Sequence, residues 1–458
     1  MTRRTWAISL MIVALTATAL GCSGNSGSSG PGPGKQDTAG GTNSTTPAAE
    51  GGTNSPKEGE SIKIKMMHLW PDGSNSAQNK LAKQIITDYE NANPNVKIET
   101  EVLENEQYKN KLKVLSASNK LPDIGFTWAA GFLEPYVKGN KFAPLNDLLE
   151  NELKDQFVAG TTEAYAMDGK TYALPVELNI VPVYYNKEIF AKHNLQPPQT
   201  YDELMQVIST LNANKVTPIA LGSKDAWTGS FWYMYLADRI GGPDVQDQAV
   251  AASSFSDPSL LAAAQAAQEL VKSNAFIKGY NGLSNDEAKS EFMNEKAAMY
   301  AMGTWEVPNF TTNPDIPQEF KDKVGFFKFP TYEGGKGNVN DWVGGPGVGL
   351  FVSEDSKVKE EAKKFVSYFV KQWGELSVTE AGIIPATKVD TSSINLPPMF
   401  IDLLNELNSA NKVILYLDVQ MKPVASEEHH NLVQALLGNA ITPEEFIRKQ
   451  EEVLKAGK

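Results

Sequence analysis

Cysteine and histidine are nearly absent from this sequence. Cys22 is the only cysteine in 458 residues, which rules out an intramolecular disulfide and excludes zinc or iron–sulfur sites built from four cysteines. Two of the four histidines, His429 and His430, are adjacent and follow two glutamates, which is typical of a solvated helix face. We predict no metal and no cofactor, although calcium sites built from carboxylates alone stay open.

Positive charge is also scarce. The chain carries 42 Lys and Arg against 55 Asp and Glu, a net charge of −13. A nucleic-acid-binding protein needs a basic surface to contact phosphates, so we expect no nucleic-acid partner. The hydrophobic content of 41% is ordinary for a globular protein. The length allows about two or three domain-sized units.

Long apolar runs occur only at the N-terminus. Arg3 and Arg4 precede an uncharged stretch over 6–20, and small residues follow it, which is the pattern of a secretory signal. Such a stretch spans roughly 22 Å as a helix, short of the ~30 Å hydrocarbon core of a membrane. We therefore predict a cleaved signal peptide over 1–21, with an uncut membrane anchor as the alternative. No later apolar run is long enough to suggest a membrane-spanning helix.

The segment after the apolar stretch suggests an anchor and a tether. Residues 19–22, Ala-Leu-Gly-Cys, resemble the lipobox of bacterial lipoproteins, although the leucine lies closer to the cysteine than is usual. Of the 38 residues in 23–60, 28 are Gly, Ser, Thr, Pro or Asn, and none is Ile, Leu, Val, Phe, Tyr or Trp. Such a segment buries too little apolar surface to offset its ordering entropy. We predict lipidation at Cys22 and a disordered tether over 22–60.

Strand and helix patterns alternate at the start of the body. The strand-like segments are 62–66, 96–102 and 121–126, and the helix-like segments between them are 81–89 and 108–115. This βαβαβ order predicts an α/β fold with a parallel sheet covered on both faces. Ligands on such sheets bind at the carboxyl ends of the strands. Trp70 and Trp128 follow the first and third strands and are therefore predicted to face a ligand.

Four motifs resemble those of the extracellular solute-binding proteins of bacterial ATP-driven importers, in the sugar-binding branch that includes maltose-binding protein. In chain order they are LPDIGFTWAAG at 121–131, DGKTYALPVELNIVPVYYNKEIF at 168–190, NEKAAMYAMGTWEVP at 294–308 and VGGPGVGLFVSEDSKVKEEAKKFVSYFV at 343–370. The resemblance extends from about residue 62 to the C-terminus. No single motif is highly specific, and the evidence is their order behind a lipobox-like cysteine.

The resemblance implies a two-lobed periplasmic-binding-protein-like fold of type II, with the ligand in a cleft that closes by a hinge motion. The N-terminal lobe is expected at 61–178 and 346–384, and the C-terminal lobe at 179–345 and 385–458. The resemblance also implies that the chain is not an enzyme and that its partners are the permease subunits of an ABC transporter. We expect a monomer held by its lipid at the outer face of the cell membrane, in a Gram-positive bacterium.

A sugar presents hydroxyl groups and flat patches of C–H bonds. Buried hydroxyl groups need polar partners, because an unpaired polar group costs about 1–3 kcal/mol, and C–H patches pack on aromatic rings. The predicted ligand-binding residues are Trp70, Asp72, Glu106, Trp128, Glu177, Asn179, Trp227, Trp305, Glu306, Asp341 and Trp342. Trp305 resembles a sugar-stacking position of the family, and Glu177 resembles an acidic cleft position. Core packing is the alternative for each tryptophan and is favoured for Trp373, while helical spacing indicates that Trp227 or Trp232 is core.

Several functions stay open at this point. The segments at 68–70, 103–108 and 125–128 most resemble receptors for xylan-derived oligosaccharides in firmicutes, and maltodextrins or other plant-wall oligomers are the next candidates. A receptor of the same fold could instead bind a polyamine or a metal, or serve a sensor kinase. A glycoside hydrolase that uses Glu177 and Asp341 as acid and base is disfavoured, because the family resembled has no catalytic role.

Overall fold

The structure is a computed structural model that describes residues 61–456. The predicted signal peptide, Cys22 and the tether lie outside the described residues. Within the described range, no helix combines the length and the apolar character that crossing a membrane requires.

The first sheet has five strands in the order β2-β1-β3-β13-β6. Strand β1 (Ile62–His68) pairs in parallel with β2 (Val96–Val102) and with β3 (Ile124–Thr127). Strand β13 (Gly349–Val352) enters from much later in the chain and runs antiparallel to β3 and to β6 (Leu174–Pro175). The predicted βαβαβ order is therefore confirmed, and a later segment of the chain completes the sheet.

A second sheet has four strands in the order β11-β8-β10-β9. Strand β10 (Ala297–Ala301) lies inside it, parallel to β9 (Thr217–Ala220) and antiparallel to β8 (Val183–Asn186). Strand β11 (Val324–Phe327) forms the edge beside β8. All five residues of β10 are buried, which explains its uninterrupted apolar sequence.

A third sheet has three strands in the order β14-β12-β7. Strand β12 (Asp341–Pro346) pairs in parallel with β14 (Lys412–Leu415) and antiparallel with β7 (Leu178–Ile180). A small hairpin of β4 (Ala166–Met167) and β5 (Lys170–Thr171) stands apart from it.

The chain passes between the first and third sheets at two neighbouring places. From β6 to β7 it runs through Val176 and Glu177, and from β12 to β13 through Gly347 and Val348. The two segments bond to each other: the Gly347 amide donates to the Glu177 carbonyl at 3.0 Å, and the Val176 amide donates to the Val348 carbonyl at 3.1 Å. Glu177 therefore lies where the lobes are joined.

Helices cover the sheets on both sides. In chain order they are α1 (Ser76–Ala92), α2 (Asn105–Ala117), α3 (Ala130–Lys138), α4 (Asn146–Glu150), α5 (Lys187–Lys192), α6 (Tyr201–Ala213), α7 (Trp227–Gly241), α8 (Val245–Ala252), α9 (Pro258–Lys272), α10 (Asn285–Met293), α11 (Val307–Phe310), α12 (Gln318–Lys323), α13 (Lys359–Leu376), α14 (Pro398–Asn408), α15 (Leu417–Gln420), α16 (Pro423–Leu437) and α17 (Pro443–Ala456). Helix α7 packs against α9 and α16, and α13 packs against α1.

Two tryptophans lie in the core. Trp232 on α7 is 1% exposed and Trp373 on α13 is fully buried. Trp232 packs edge-on against Phe276 and Phe329. The predicted core role of Trp373 is confirmed. Of the two candidates Trp227 and Trp232, Trp232 is the one that lies in the core.

The prediction of a solvated face at His429 is wrong. His429 on α16 is fully buried between α7 and α17, and its two ring nitrogens lie 2.8 Å from Ser230 Oγ and 2.8 Å from Gln450 Oε1. Burial, with the nearby charge of His430, lowers the pKa of His429 to about 4. The two preceding glutamates misled the interpretation, because one turn of α16 carries both exposed and buried positions.

Candidate ligand-binding cleft

A cavity of about 860 Å³ is lined by residues of the expected N-terminal lobe and by residues of the expected C-terminal lobe. That volume falls in the range of ~300–1,000 Å³ that is typical of small-molecule sites. Seven of the predicted ligand-binding residues lie on its wall: Trp70, Glu106, Trp128, Glu177, Trp227, Trp305 and Glu306. They come from the ends of strands, from the first turns of helices and from the crossing between the lobes.

Asp72 and Asn179 do not line the cavity, which corrects their predicted position. The Asp72 side chain is 68% exposed, and its closest cation, Lys83 Nζ, is 4.0 Å away. Asn179 is 1% exposed on β7, where the Thr304 hydroxyl donates to its Oδ1 at 3.0 Å. One residue therefore lies in solvent, and the other supports the wall from behind.

Asp341 and Trp342 do not line the cavity either, which is a second correction. Both residues begin strand β12, the middle strand of the third sheet. The Asn338 amide and Asn411 Nδ2 each donate to the Asp341 carboxylate at 2.6 Å. Trp342 is 1% exposed and pairs in register with Val413. Both side chains therefore have a structural role.

Trp70 reaches the cavity wall, but its ring belongs to the core. The side chain follows β1 and is only 4% exposed. Trp373 stacks on it with 4.5 Å between the ring centroids and an interplanar angle of 14°, and Phe126 packs edge-on at 4.7 Å. No broad face of Trp70 is left for a ligand.

Trp305 presents a much freer ring. It follows β10 in a single 3₁₀ turn, is half-buried, and its closest aromatic centroid, that of Trp227, is 6.2 Å away. The ring lies against Gly303, where an added Cβ would approach Trp305 Cζ3 to 2.0 Å. Gly303 therefore lets the indole fold back on the main chain while the rest of the ring faces the cavity.

Trp128 and Trp227 are half-buried, and both line the cavity. Trp128 follows β3 and packs edge-on against Phe132 at 5.0 Å between centroids. Ala130, two residues on, has a φ of 49°, a left-handed conformation that costs an alanine about 1 kcal/mol. Trp227 begins α7 and packs edge-on against Phe231 at 5.5 Å.

Glu177 is a buried carboxylate on the cavity wall. Its side chain is 5% exposed, and burial raises its pKa to about 7, although the polar groups of Asn179 and Val348 oppose the shift. Gly347 on the facing segment makes room for it, because a Cβ there would lie 2.6 Å from Glu177 Oε1. In its ionised form this carboxylate is a strong acceptor for a ligand hydroxyl group.

Three side chains on the wall keep a buried polar atom without a hydrogen-bond partner: Glu177 Oε2, Trp227 Nε1 and the Tyr416 hydroxyl. Such atoms are rare in native proteins, because an unpaired buried polar group costs about 1–3 kcal/mol. Together they provide an acceptor and two donors. That combination fits a ligand rich in hydroxyl groups.

The two other glutamates that were predicted to bind ligand and that line the wall, Glu106 and Glu306, are paired within the protein. Lys289 Nζ donates to Glu306 Oε1 at 3.3 Å, and Asn309 Nδ2 donates to Glu306 Oε2 at 2.7 Å. Lys109 Nζ lies 2.9 Å from Glu106 Oε1. These carboxylates remain able to accept further hydrogen bonds, since each oxygen has two lone pairs.

Sequence reasoning missed the contribution of the C-terminal region. Tyr416 and Asp418 follow β14 and line the cavity together with His430. His430 Nε2 lies 3.1 Å from Asp418 Oδ2. Burial raises the pKa of Asp418, but the hydrogen bond and charge of His430 outweigh it and lower the value to about 2. The signal was present, because Tyr416 follows a short apolar strand just as Trp128 does.

The described residues that line the cavity form no metal site. Within residues 61–456, no group of three or more His, Cys, Asp or Glu side chains is arranged to hold a metal ion.

Residues 73–372 match the family model described as bacterial extracellular solute-binding protein. Because the match covers well over half of the chain, the protein belongs to that family. Its members bind solutes, so the protein is a binding protein and not an enzyme, as the sequence analysis predicted.

Two curated relatives illustrate the similarity. A multiple sugar-binding protein of Streptococcus mutans is 27% identical over 297 residues, which cover 62% of this chain and 67% of the relative. An ABC transporter extracellular-binding protein of Pyrococcus horikoshii is 27% identical over 263 residues, covering 55% of this chain and 58% of the relative. The aligned part therefore spans about two thirds of the first relative and somewhat over half of the second.

Solved structures match more completely. A structure from a study of xylan utilization by Caldanaerobius polysaccharolyticus has a TM-score of 0.81 at 35% identity, covering 85% of this chain and 99% of that chain. A chitin oligosaccharide binding protein has a TM-score of 0.80 at 26% identity, covering 87% and 99%. The predicted two-lobed α/β fold is confirmed.

Proposed function

We propose that this protein is the oligosaccharide receptor of an ABC importer. The observation that carries the proposal is the group of unpartnered polar atoms on Glu177, Trp227 and Tyr416. They line the same cavity as the accessible indole rings of Trp128 and Trp305. Hydroxyl groups would satisfy the polar atoms, and sugar C–H faces would pack on the rings.

We infer further that the substrate is a xylo-oligosaccharide. The support is the 35% identity to the structure from the xylan-utilization study, above the 26% to the chitin oligosaccharide binding protein. The relative from S. mutans, named as a sugar-binding protein, supports the broader class. Maltodextrins have weaker support, because a maltotriose-binding protein of Pyrococcus abyssi is 31% identical over only 100 residues, 22% of this chain.

The proposed roles of the wall residues follow from their exposure. Trp305, Trp128 and Trp227 stack on sugar rings, because each keeps part of its ring towards the cavity. Glu177 accepts a hydrogen bond from a sugar hydroxyl. Glu106 and Glu306 accept additional bonds while they keep their lysine partners. Trp70 stiffens the wall and does not stack on the ligand.

Contacts across the cleft support a role in delivery to a permease. Gln78 Nε2 donates to the Trp305 carbonyl at 3.1 Å, and Lys289 Nζ donates to the Ser74 carbonyl at 3.1 Å. Both bonds join the segment around the start of α1 to the opposite lobe. They belong to a form with the lobes together, in which a ligand would be enclosed and recognisable to a partner.

Calorimetric titration with xylo-, malto-, cello-, arabino- and chitin oligosaccharides tests the function and the substrate together. We expect micromolar or tighter binding of the xylo-series, with an affinity that depends on chain length. Tight binding of another series would replace the substrate and keep the receptor. Binding of none would contradict the proposed function.

We also propose that a lipid on Cys22 holds the protein at the outer face of the membrane. Cys22→Ser should move the protein from the membrane fraction to the medium, because Cys22 supplies the only thiol in the chain for attachment of a lipid. Fractionation of cells that express the wild type and the variant measures this. Retention of the variant at the membrane would indicate an uncut signal anchor.

A further inference from the structure

Lys109 projects from α2 into the space between two tryptophans of opposite lobes. Its ammonium nitrogen lies 5.0 Å from the ring centroid of Trp128 and 6.0 Å from that of Trp227. Cations are attracted to aromatic faces at such distances. The lysine therefore occupies a position where two of the proposed stacking rings meet the cavity.

Carboxylates surround this ammonium group. Glu106 Oε1 is 2.9 Å from Lys109 Nζ, and Glu104, Asp225 and Asp418 line the same cavity. Burial raises the pKa of Asp225, the charges of Glu106 and Glu104 raise it further, and the charge of Lys109 opposes them. Lys113 and Lys224 also line the cavity, but Lys109 is the lysine placed over the rings of Trp128 and Trp227, where it offsets part of this acidic charge.

Aromatic faces beside a surplus of carboxylates are the composition that attracts organic cations. In this cleft the cation is supplied by the protein. We propose that Lys109 is a specificity-determining residue, an internal cation that excludes cationic ligands such as polyamines and leaves the cleft selective for neutral sugars. The preference for a neutral sugar rests on the proposed function, whereas the exclusion of cations rests on the position of Lys109 between the two rings.

A neighbouring lysine provides a matched control. Lys111 lies on the same helix, but it pairs with Glu101 away from the cavity. Lys111→Met removes the same charge from α2 and leaves the Lys109 ammonium group between the two tryptophans. Lys109→Met keeps an unbranched side chain on the aromatic rings and removes only the ammonium group. Lys109→Gln is a second, polar replacement in case the methionine variant does not fold.

The experiment is calorimetric titration of the full chain with spermidine, for the wild type and all three variants, with melting temperatures as a check on folding. We expect weak or no spermidine binding by the wild type and by Lys111→Met. Both Lys109 variants should bind spermidine about tenfold more tightly than the wild type or better, since the Lys109 ammonium group no longer competes with spermidine for the rings and carboxylates.

Equal spermidine affinity of the Lys109 variants and Lys111→Met would overturn the inference, and so would tight spermidine binding by the wild type. A parallel titration with xylo-oligosaccharides separates the two proposals. If the wild type binds no sugar, the receptor function fails, and the spermidine comparison still decides the role of Lys109.

Discussion

Trp70 and Trp305 each follow a buried strand and reach the same cavity, yet their rings have different surroundings. Trp70 is 4% exposed beneath Trp373, at 4.5 Å between centroids. Trp305 is half-buried, with its closest aromatic centroid 6.2 Å away. The position after a strand brings a tryptophan to the ligand-binding edge. Whether the ring is free depends on what another segment, here α13, packs against it.

Substitution of Trp70 should cause the largest loss of stability. Trp70→Ala should lower the free energy of unfolding by about 3–5 kcal/mol, because it removes a ring from the stack with Trp373 and leaves a cavity. Urea unfolding measures the change. A loss below about 1 kcal/mol combined with a large loss of sugar affinity would break the comparison, since Trp70 would then act as a ligand contact.

Substitution of Trp305 should reduce sugar affinity more than it reduces stability. Trp305→Ala should weaken oligosaccharide binding by about 1–3 kcal/mol, roughly five- to 150-fold, because a stacking surface is lost. Calorimetric titration measures the affinity, and thermal unfolding should change less than for Trp70→Ala. Unchanged affinity with a lower melting temperature would assign Trp305 to the core.

Glu177 combines the burial of Trp70 with the cavity position of Trp305. Its pKa is raised by burial from 4.5 to about 7, so the folded protein holds this proton over a range where the unfolded chain has released it. Its contribution to the free energy of unfolding should therefore fall as the pH rises from about 4.5 to about 7. Glu177→Gln removes this dependence, and its stability relative to the wild type should increase by about 2–3 kcal/mol over that range.

Urea unfolding of both proteins at several pH values tests the Glu177 prediction. A stability difference that stays constant across this pH range would mean that the carboxylate is ionised in the folded protein at all of these values.

The smallest effect is expected at Asp72. Its side chain is 68% exposed and pairs only loosely with Lys83, so Asp72→Asn should change stability and sugar affinity by less than about 0.5 kcal/mol. Parallel unfolding and titration measure both. A tenfold loss of affinity would show that this loop approaches the ligand and would restore the residue to the site.

Periodic patterns in the sequence predicted the fold well. The alternation at β1 and β2 and the helical spacing between them depend on local side-chain burial, which a sequence displays directly. The rule that ligands bind at the ends of parallel strands placed Trp128 correctly on the cavity wall. It could not show that Trp70 is covered, because Trp373 comes from a distant part of the chain.

Tertiary pairing explains the remaining errors. Strand β12 contains two glycines and a proline, which disfavour strands, but its pairing with β7 and β14 outweighs that preference and buries Asp341 and Trp342. Tyr416 and Asp418 follow β14, but the helices α13 and α14 come between β13 and β14, so the sequence there lacks the βαβ alternation that marked β3. Their place on the wall depends on where the C-terminal region packs.

The most direct test of the account is a crystal structure of the protein with a bound xylo-oligosaccharide. We predict that the sugar lies between the lobes with one ring parallel to the Trp305 indole and a hydroxyl group within hydrogen-bond distance of Glu177 Oε2. The Trp70 ring should remain stacked on Trp373 and free of ligand contact. A sugar bound outside this cavity, or one that stacks on Trp70 and leaves Trp305 bare, would contradict the account.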